Sequence, residues 1–379
     1  MKRVSLIGCT GSIGTQSADV VRSRGYNITA IAANTNVALA EKQAREFKPK
    51  VAAMFSESAA KELKLALADT DVKVLSGIDG VCEAASLNTD IVVNGVVGIA
   101  GLRPSIAAIK AGNTLALANK ESLVCAGDIV MALSMDKGVP VLPVDSEHSA
   151  VFQCIGKHFT CEIEKIILTA SGGPFYNYTA EQLREVTPEQ ALRHPSWNMG
   201  NKITIDSATM MNKGFELMEA KYLFGVSADK LSYVVHRESL VHSMVQFSDG
   251  ALLAQISPPD MRLPIVYALD YPVRRKTDFK RFDPCTMPIS FLPPKDDIFK
   301  APALCLRALQ MGGNAGAVVN GANEAAVDLF LHNKIKFTDI TEFAQEALEN
   351  VEFVHSPTLD DIFSSDEAAR AFVYSKVVI

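Results

Sequence analysis

Several features typical of other protein classes are missing from this chain of 379 residues. No apolar run reaches the ~18 residues that a membrane helix needs, because Asn94 interrupts Ile91–Leu102 and Asp128 interrupts Ser122–Met135. The formal net charge of −6 gives no overall basic field that would favour nucleic acid. The seven cysteines are scattered and form no C-x-x-C pair, which excludes a disulfide-stapled mini-protein and is typical of reduced cytoplasmic thiols. We therefore expect neither a membrane nor a nucleic acid as partner.

What the sequence does contain is an ordinary globular composition, with 48% hydrophobic and 21% charged residues. At roughly 150 residues per domain, the length predicts two or three domains, each large enough to bury a core. Met1-Lys2-Arg3 leads directly into an apolar strand and a glycine loop. That beginning leaves no room for a signal or transit peptide, which adds to the expectation of a cytoplasmic protein.

The first 145 residues alternate short apolar segments with segments of helical spacing. Repeated strand–helix–strand units predict an α/β fold with an N-terminal Rossmann-like parallel sheet and helices on both faces. The predicted strands are Val4–Ile7, Ile28–Ala33, Val51–Phe55, Ile91–Val93, Thr114–Ala118 and Val139–Leu142, and the predicted helices are Thr15–Arg24, Ala38–Phe47 and Ser58–Ala68.

After this region the pattern changes to that of an α+β central domain on a largely antiparallel sheet. Its predicted strands are Ile163–Leu168, Val234–Val235, Met244–Phe247 and Leu252–Ile256, with one long helix at Ser207–Phe224. Proline-rich residues then predict an extended linker, and helical spacing beyond it predicts an all-helical C-terminal bundle. The predicted parts are a Rossmann-like domain (1–145), the central domain (146–270) with a loop near 191–201 as its candidate mobile lid, the linker (271–302) and the bundle (303–379).

A glycine loop, Gly8-Cys9-Thr10-Gly11-Ser12-Ile13-Gly14, lies between the first predicted strand and the first predicted helix. Glycines at this junction let the backbone approach a pyrophosphate at the helix N-terminus; a glycine turn without a ligand is the alternative. The second predicted strand ends in Asn34-Thr35-Asn36, which has no carboxylate to repel a 2′-phosphate. This turn favours NADP(H) over NAD(H).

Two carboxylates, Asp145 and Glu147, follow the last predicted strand of the first domain, at the sheet edge where ligands collect. In an extended segment, side chains two residues apart point the same way. Hard oxygen ligands without a thiolate suggest Mg²⁺ or Mn²⁺, and a solvated polar turn is the alternative.

A polar trio, Asn212, Lys213 and Glu216, shares one face of the predicted long helix, for which Ser207 or Asp206 would be the N-cap. Around it the helix carries the apolar residues Met210, Met211, Phe215, Leu217 and Met218. We therefore expect the trio to face a cleft, with Glu216 as a third oxygen ligand, although a surface ion pair would be ordinary for an isolated helix.

Three further segments are dense in polar residues. Lys120 follows a predicted strand and would lie at the same sheet edge as the carboxylates. Ser171 precedes a Gly-Gly-Pro turn of the kind that can bind an anion. The only tryptophan, Trp197, lies in a loop between His194 and Gly200, where it would either close over a substrate or cap the core of the second domain.

Taken together, these stretches resemble the 1-deoxy-D-xylulose 5-phosphate reductoisomerase family. The resemblance rests on Gly8–Gly14, Leu117–Cys125, Pro143–Ala150, Leu168–Phe175, His194–Gly200, Asp206–Glu216 and Pro258–Arg262. It implies a homodimer whose subunits carry an NADPH-binding domain, a catalytic domain, a linker and a helical bundle in that order.

The resemblance also implies residue roles. Asp145, Glu147 and Glu216 would bind the divalent ion, Mn²⁺, Mg²⁺ or Co²⁺, and would be catalytic together with Lys120 and His194. Contacts with the substrate would come from Lys120, Ser146, Glu147, Ser171, His194, Trp197, Ser207, Asn212, Lys213 and Glu216. Contacts with NADPH would come from Thr10, Gly11, Ser12, Ile13, Asn34, Thr35, Asn36, Asn119, Glu121 and Gly200. Trp197 and Met199 would belong to the lid.

The implied substrate is a small phosphorylated ketose, 1-deoxy-D-xylulose 5-phosphate. Its carbon skeleton would rearrange beside the ion, and NADPH would reduce the resulting aldehyde to 2-C-methyl-D-erythritol 4-phosphate, a step of the non-mevalonate isoprenoid pathway. One departure concerns the cofactor: family members often carry Gly-Lys-Asn where this chain has Asn34-Thr35-Asn36. The lysine that would assist the 2′-phosphate is therefore missing.

Two other functions are compatible with the glycine loop. A dehydrogenase of the aspartate-semialdehyde type would need a cysteine nucleophile with a partner histidine, for which Cys125 is the only well-placed residue. A non-catalytic NADP-binding sensor would need no catalytic side chains at all. Neither requires a divalent ion, so metal dependence separates both from the reductoisomerase.

Overall fold

The computed structural model describes residues 1–158, 160–193 and 199–377 of the chain. The N-terminal elements are β1 (Arg3–Ile7), α1 (Ser12–Arg24), β2 (Asn27–Ala33), α2 (Val37–Phe47), β3 (Val51–Met54), α3 (Glu57–Ala66), β4 (Lys73–Ser76), α4 (Gly77–Ser86), β5 (Ile91–Asn94), α5 (Leu102–Lys110), β6 (Thr114–Leu117), α6 (Glu121–Lys137), β7 (Val141–Pro143) and α7 (Ser146–Ile155). The elements that follow are β8 (Ile163–Ala170), α8 (Ala180–Leu183), α9 (Pro188–Ala191), α10 (Asn201–Thr209), α11 (Met211–Phe224), β9 (Leu231–Val235), β10 (Val241–Phe247), β11 (Leu252–Ile256) and α12 (Arg262–Asp270). The C-terminal helices are α13 (Ala301–Met311), α14 (Ala315–Leu331), α15 (Asp339–Asn350) and α16 (Leu359–Ser375).

The chain forms two compact units and passes between them several times. The first unit consists of Met1–Ser122, Asp128–Ser149 and Met261–Asp278, and the second of Leu123–Gly127, Ala150–Asp260 and Phe279–Ile379. The four-part division made from the sequence groups residues differently and stays a prediction. Of the helices in the described ranges, none combines the length and the apolarity needed to cross a bilayer.

The first unit is built on a seven-stranded parallel sheet of order β4-β3-β2-β1-β5-β6-β7. Leaving aside the outer β4, this is the doubly wound strand order of nucleotide-binding α/β folds, and the order reverses between β1 and β5. The predicted Rossmann-like sheet is therefore confirmed. Strand β4 was not predicted, because its four residues are exposed or half-buried at the sheet edge and lack an apolar run.

The second unit contains a four-stranded sheet of order β11-β10-β8-β9. Strand β10 is antiparallel to both β11 and β8, while β8 and β9 are parallel. The predicted largely antiparallel sheet is confirmed, and β11 has the predicted bounds. Helix α14 is buried along most of its length, and its Phe330 packs edge-on against Phe337 at 5.7 Å between ring centroids.

The prediction of one long helix at Ser207–Phe224 is wrong in one respect. These residues form the end of α10 and then a second helix, α11. Met210 separates the two helices in a left-handed conformation with φ of +64°. Its side chain is 4% exposed and belongs to the core of the unit, and burial of this apolar side chain offsets the conformational cost. Helical spacing alone cannot reveal such a break.

The region that we predict as a linker, residues 271–302, contains no helix from 273 to 300 among the residues described here. It is tied to the second sheet where Val235 and Leu292 exchange backbone hydrogen bonds of 2.9 and 2.8 Å. Helix α13 begins at Ala301, so the helical C-terminal region starts two residues earlier than we predict.

Candidate active site

The glycine loop lies where the strand order of the first sheet reverses. Gly8 has a φ of +89°, and a Cβ atom there would lie 2.8 Å from the carbonyl carbon of Gly95. A Cβ on Gly14 would lie 2.2 Å from the Gly8 carbonyl oxygen. These two positions therefore require glycine, because the loop passes against neighbouring backbone. Helix α1 begins immediately after Gly11, so the N–H groups of its first turn are available at the loop, as in pyrophosphate-binding sites.

The turn after β2 has no ionic side chain. Asn34, Thr35 and Asn36 are all exposed, and the Asn36 side chain caps α2 by accepting a hydrogen bond of 3.1 Å from the Leu39 N–H. No carboxylate or basic side chain stands in the turn itself. Its polarity matches the sequence prediction, while the contact of these residues with a cofactor stays a prediction.

Two further residues predicted to contact the cofactor, Asn119 and Glu121, are buried next to the end of β6. The Asn119 amide nitrogen donates to the carbonyls of Val96 and Gly98 at 2.7 and 2.9 Å and to the Glu121 carboxylate at 3.0 Å. Asn119 therefore fixes the loop that follows β5. That role was not apparent from the sequence, because residues more than twenty positions apart are involved.

Lys120 and Asp145 form the predicted cluster at the carboxyl edge of the first sheet. Their side chains are 7% and 12% exposed, and Lys120 Nζ lies 2.5 Å from Asp145 Oδ2. His148 is fully buried, and its Nδ1 lies 3.9 Å from Asp145 Oδ1. Burial alone would raise the pKa of Asp145, but Lys120 and His148 favour the charged form and bring that pKa well below its usual value. The lowered pKa of Asp145 therefore favours its ionised form.

The local geometry of Asp145 and Glu147 differs from the sequence prediction. They do not lie in an extended segment, because α7 begins at Ser146 and Glu147 is in its first turn. A carboxylate in the first turn is favoured by the positive end of the helix dipole. The Ser146 hydroxyl donates to Glu147 Oε2 at 2.6 Å, which orients the Glu147 carboxylate.

In the second unit, the polar trio of α11 is held together as predicted. Asn212 Nδ2 and Lys213 Nζ each donate to one carboxylate oxygen of Glu216. Lys213 Nζ also donates to the Thr169 carbonyl at 2.5 Å, which ties α11 to the end of β8. Lys213 and Glu216 are 4% and 1% exposed, so this is a buried ion pair and not a surface pair.

The backbone segments that carry Ser171 and Ser207 adjoin at the turn after β8. Gly172 and Gly173 have φ of +75° and +63°, and a Cβ on Gly173 would lie 2.8 Å from the Ser207 carbonyl oxygen. The turn therefore rests directly against the backbone of α10. Its Gly173 N–H donates to Ser171 Oγ at 3.3 Å. Two of the predicted phosphate-binding hydroxyls thus belong to adjoining backbone segments.

Ser207 is not an N-cap, since it lies inside α10, which begins after Gly200, and the same is true of Asp206. Its carboxylate accepts from Asn323 Nδ2 of α14 at 2.8 Å and lies 3.0 Å from Lys202 Nζ. Asn323 was missed because it is 117 positions away and carries no local signal. Gly200 is exposed, and Met199 is half-buried. His194 and Trp197 lie outside the described residues, so the predicted lid stays a prediction.

The cysteines are in the reduced state that the sequence predicts, and the buried histidine His236 is fully hydrogen-bonded. All seven cysteines are free thiols. Cys125 is 3% exposed, which is unfavourable for a nucleophile that must reach a substrate. His236 is buried and hydrogen-bonded, with Nδ1 2.8 Å from the Ser290 carbonyl oxygen and Nε2 accepting from the Leu240 and Val241 N–H groups at 3.0 Å.

Comparison with known proteins assigns the chain to a family. Sequence models of 1-deoxy-D-xylulose 5-phosphate reductoisomerase match residues 4–127, and those of its C-terminal domains match residues 141–224 and 256–372. The chain is 47% identical over 376 residues to the 1-deoxy-D-xylulose 5-phosphate reductoisomerase of Agathobacter rectalis, covering 98% of this chain and 99% of the relative.

Solved structures agree over the whole chain. The reductoisomerase of Zymomonas mobilis in complex with NADPH is 40% identical with a TM-score of 0.93, covering 99% of this chain and 98% of that one. A reductoisomerase in complex with NADPH, fosmidomycin and magnesium is 37% identical with a TM-score of 0.94 and the same coverage. Similarity of this extent shows that the chain belongs to the 1-deoxy-D-xylulose 5-phosphate reductoisomerase family.

Proposed function

We propose that this chain is an enzyme that isomerises and reduces 1-deoxy-D-xylulose 5-phosphate to 2-C-methyl-D-erythritol 4-phosphate, using NADPH and a divalent metal ion. The observation that carries the proposal is the full-length similarity to enzymes of that name, 47% over 98% of the chain. The side chains that the chemistry needs are present and supported locally in both units. The product belongs to the non-mevalonate isoprenoid pathway.

NADPH would bind at the glycine loop, with its pyrophosphate against the first turn of α1. Thr10, Gly11, Ser12 and Ile13 would surround it there, with the Gly11 N–H already donating to the Gly8 carbonyl oxygen at 3.1 Å. The turn Asn34-Thr35-Asn36 would accept the 2′-phosphate without repelling it, although without a lysine to attract it. When bound, NADPH supplies the hydride for the reduction.

The carboxylates of Asp145, Glu147 and Glu216 would hold the ion. All three donors are oxygen atoms, which suits Mg²⁺ or Mn²⁺, and the lowered pKa of Asp145 favours its charged form. When bound, the ion polarises the substrate carbonyl and stabilises negative charge on its oxygens. Lys120, paired with Asp145, would hold or move a proton at the same oxygens.

The phosphate of the substrate would bind in the second unit. Ser171, Ser207, Asn212 and Lys213 supply two hydroxyls, an amide and an ammonium group, and they are tied to the end of β8 and to the adjoining turn. These groups complement a phosphate, whose binding energy can be used to position the reacting end of the sugar. We also propose that His194, Trp197 and Met199 belong to a lid over the substrate.

We further propose that the protein is a cytoplasmic homodimer. The edge strand β11 exposes three large apolar side chains, Leu252, Leu253 and Ile256, which are 52%, 42% and 42% exposed. An exposed apolar edge strand is a template for pairing with another chain, and a second copy offers the same edge. The cytoplasm is proposed from the seven free thiols, since a reducing compartment keeps them so.

The test is the oxidation of NADPH with 1-deoxy-D-xylulose 5-phosphate, with and without Mg²⁺ or Mn²⁺, for the wild type and Glu216→Gln. We expect activity only with an ion, and a decrease in kcat of roughly two orders of magnitude or more in the variant, because a charged ligand becomes neutral. Glu164→Gln, at an exposed position on β8, is the matched control and should retain activity. Activity that persists with chelator would refute the metal mechanism, and no activity with intact NADPH binding would favour a sensor.

A further inference from the structure

The turn after β8 contains a buried backbone N–H group without a protein partner. Gly172 is buried, and its N–H donates to no acceptor among the residues that the structure describes. A buried N–H without an acceptor is unfavourable, so such groups are normally paired with protein, water or a ligand. The adjacent Ser171 hydroxyl belongs to the same turn. The turn therefore presents a donor that a bound anion would satisfy.

Arg237 fixes the direction of that donor. Its Nη1 donates to the carbonyl oxygens of Ser171 and Gly173 at 2.9 and 2.7 Å. The peptide between Ser171 and Gly172 is planar and trans, so its N–H points opposite to its C=O. With the Ser171 carbonyl bound to the guanidinium, the Gly172 N–H is directed away from Arg237. The next peptide, Gly172–Gly173, has its N–H directed to Ser171 Oγ, and the peptide after it, Gly173–Pro174, has no N–H.

The guanidinium of Arg237 is itself held in place without a carboxylate. Among the described residues, Arg237 forms no ion pair; it donates to the two carbonyls of the turn and lies over the ring of Tyr176, with 5.9 Å from its central carbon to the ring centroid. It follows His236, whose ring is hydrogen-bonded on both nitrogens and anchors this segment. An uncompensated positive charge behind the turn adds to the attraction of an anion in front of it.

We propose that Arg237 is a positioning residue that presents the Gly172 N–H and the Ser171 hydroxyl to the phosphate of the substrate. This inference rests on the proposed function, since it assigns the phosphate of the ketose to this turn. Arg237 does not contact the phosphate; it acts through the backbone carbonyls of the turn. A neutral side chain at this position would leave the turn free to rotate its peptides and would remove the charge behind it.

The test compares Arg237→Gln with Lys295→Gln. Lys295 also lies over Tyr176, at 4.8 Å from the ring centroid, but donates to neither carbonyl of the turn, so its loss removes an equal charge without releasing the turn. For Arg237→Gln we expect the KM for the ketose phosphate to rise by about tenfold or more, because charge-assisted hydrogen bonds are lost. The KM for NADPH should stay as in the wild type, and kcat should change less than the KM for the ketose.

Calorimetry with inorganic phosphate gives a second measurement that does not depend on turnover. We expect the dissociation constant for phosphate to rise in Arg237→Gln and to stay unchanged in Lys295→Gln. An unchanged constant in Arg237→Gln, or an equal rise in both variants, would overturn the proposal. If Arg237→Gln does not fold, Arg237→Lys takes its place. We then expect a dissociation constant for phosphate above the wild-type value, and an unchanged constant would overturn the proposal. A wild type that binds phosphate but does not turn over the ketose would refute the proposed function alone.

Discussion

At the scale of single residues, the first unit keeps a lysine and an aspartate together away from water. Burying either charge alone would be costly, and the Lys120–Asp145 contact of 2.5 Å compensates for it. Sequence reasoning placed both residues at the carboxyl edge of the sheet, because each follows a parallel strand. Their pairing could be anticipated from that placement, whereas the additional burial of His148 could not.

We predict that Lys120→Met lowers the free energy of unfolding by about 3–5 kcal/mol, because the buried Asp145 carboxylate loses its nearest cation. The measurement is urea unfolding at neutral pH with chelator present, so that no metal ion replaces the missing charge. Lys110→Met, at an exposed position at the end of α5, is the control and should change the stability by less than about 0.5 kcal/mol. Equal stability of the two variants would contradict the prediction.

At the scale of elements, α12 belongs to the first unit although it follows β11 in the chain. Its last residue, Asp270, accepts from the Tyr26 hydroxyl at 2.5 Å and lies 2.8 Å from Arg24 Nη2. Lys2 Nζ donates to the Leu269 carbonyl at 2.5 Å. Burial and the hydrogen bond to Asp270 raise the pKa of Tyr26 to about 12. The element is thus held by polar contacts with residues near the beginning of the chain.

We predict that Tyr26→Phe lowers the free energy of unfolding by about 1–3 kcal/mol at pH 8, since Asp270 loses a donor. Because the folded pKa lies above the unfolded value of about 10, the stabilisation by Tyr26 is complete below pH 10 and is lost as the pH rises towards 12. Urea unfolding of both proteins between pH 8 and about 11 tests this. The difference between them should shrink above pH 10, and a constant difference would contradict the assignment.

Local patterns determined which elements and site residues could be predicted. Asn212, Lys213 and Glu216 were placed on one face because helical geometry relates positions three and four apart. Strand β11 was recognised from a short apolar run and a turn before it. The break at Met210 could not be recognised from the sequence, because core packing imposes it. Nor could the contacts of Arg237 with the turn after β8, since 66 and 64 positions separate the partners.

At the scale of the whole molecule, the exposed apolar side chains of β11 bear on whether two copies of the chain associate. Adjacent Leu252 and Leu253 are both largely exposed, which is unfavourable for an edge strand in water. A second copy of the chain would cover them. The sequence predicted a homodimer only through the family resemblance, because apolar residues on a strand look alike whether they face a core or a partner.

We predict that Leu253→Glu weakens the homodimer at least tenfold, because a charge would be buried at the paired edge. Sedimentation velocity over a concentration series measures the dissociation constant. Leu65→Glu is the matched control, since Leu65 is 80% exposed on α3, and it should leave the association unchanged. A wild type that sediments as a monomer at all concentrations would refute the proposed dimer, and an unaffected Leu253→Glu dimer would exclude β11 as its interface.

The repeated passage of the chain between the two units has a consequence for its synthesis on the ribosome. The first unit is incomplete until Met261–Asp278, with α12, has been made, and by then all of Ala150–Asp260 has already been synthesised. Folding of the nascent chain therefore cannot proceed strictly from one finished unit to the next, as it does for domains arranged in sequence. The glycine loop is translated early, whereas helix α12, which Tyr26 and Lys2 hold, is translated only after the strands of the second sheet.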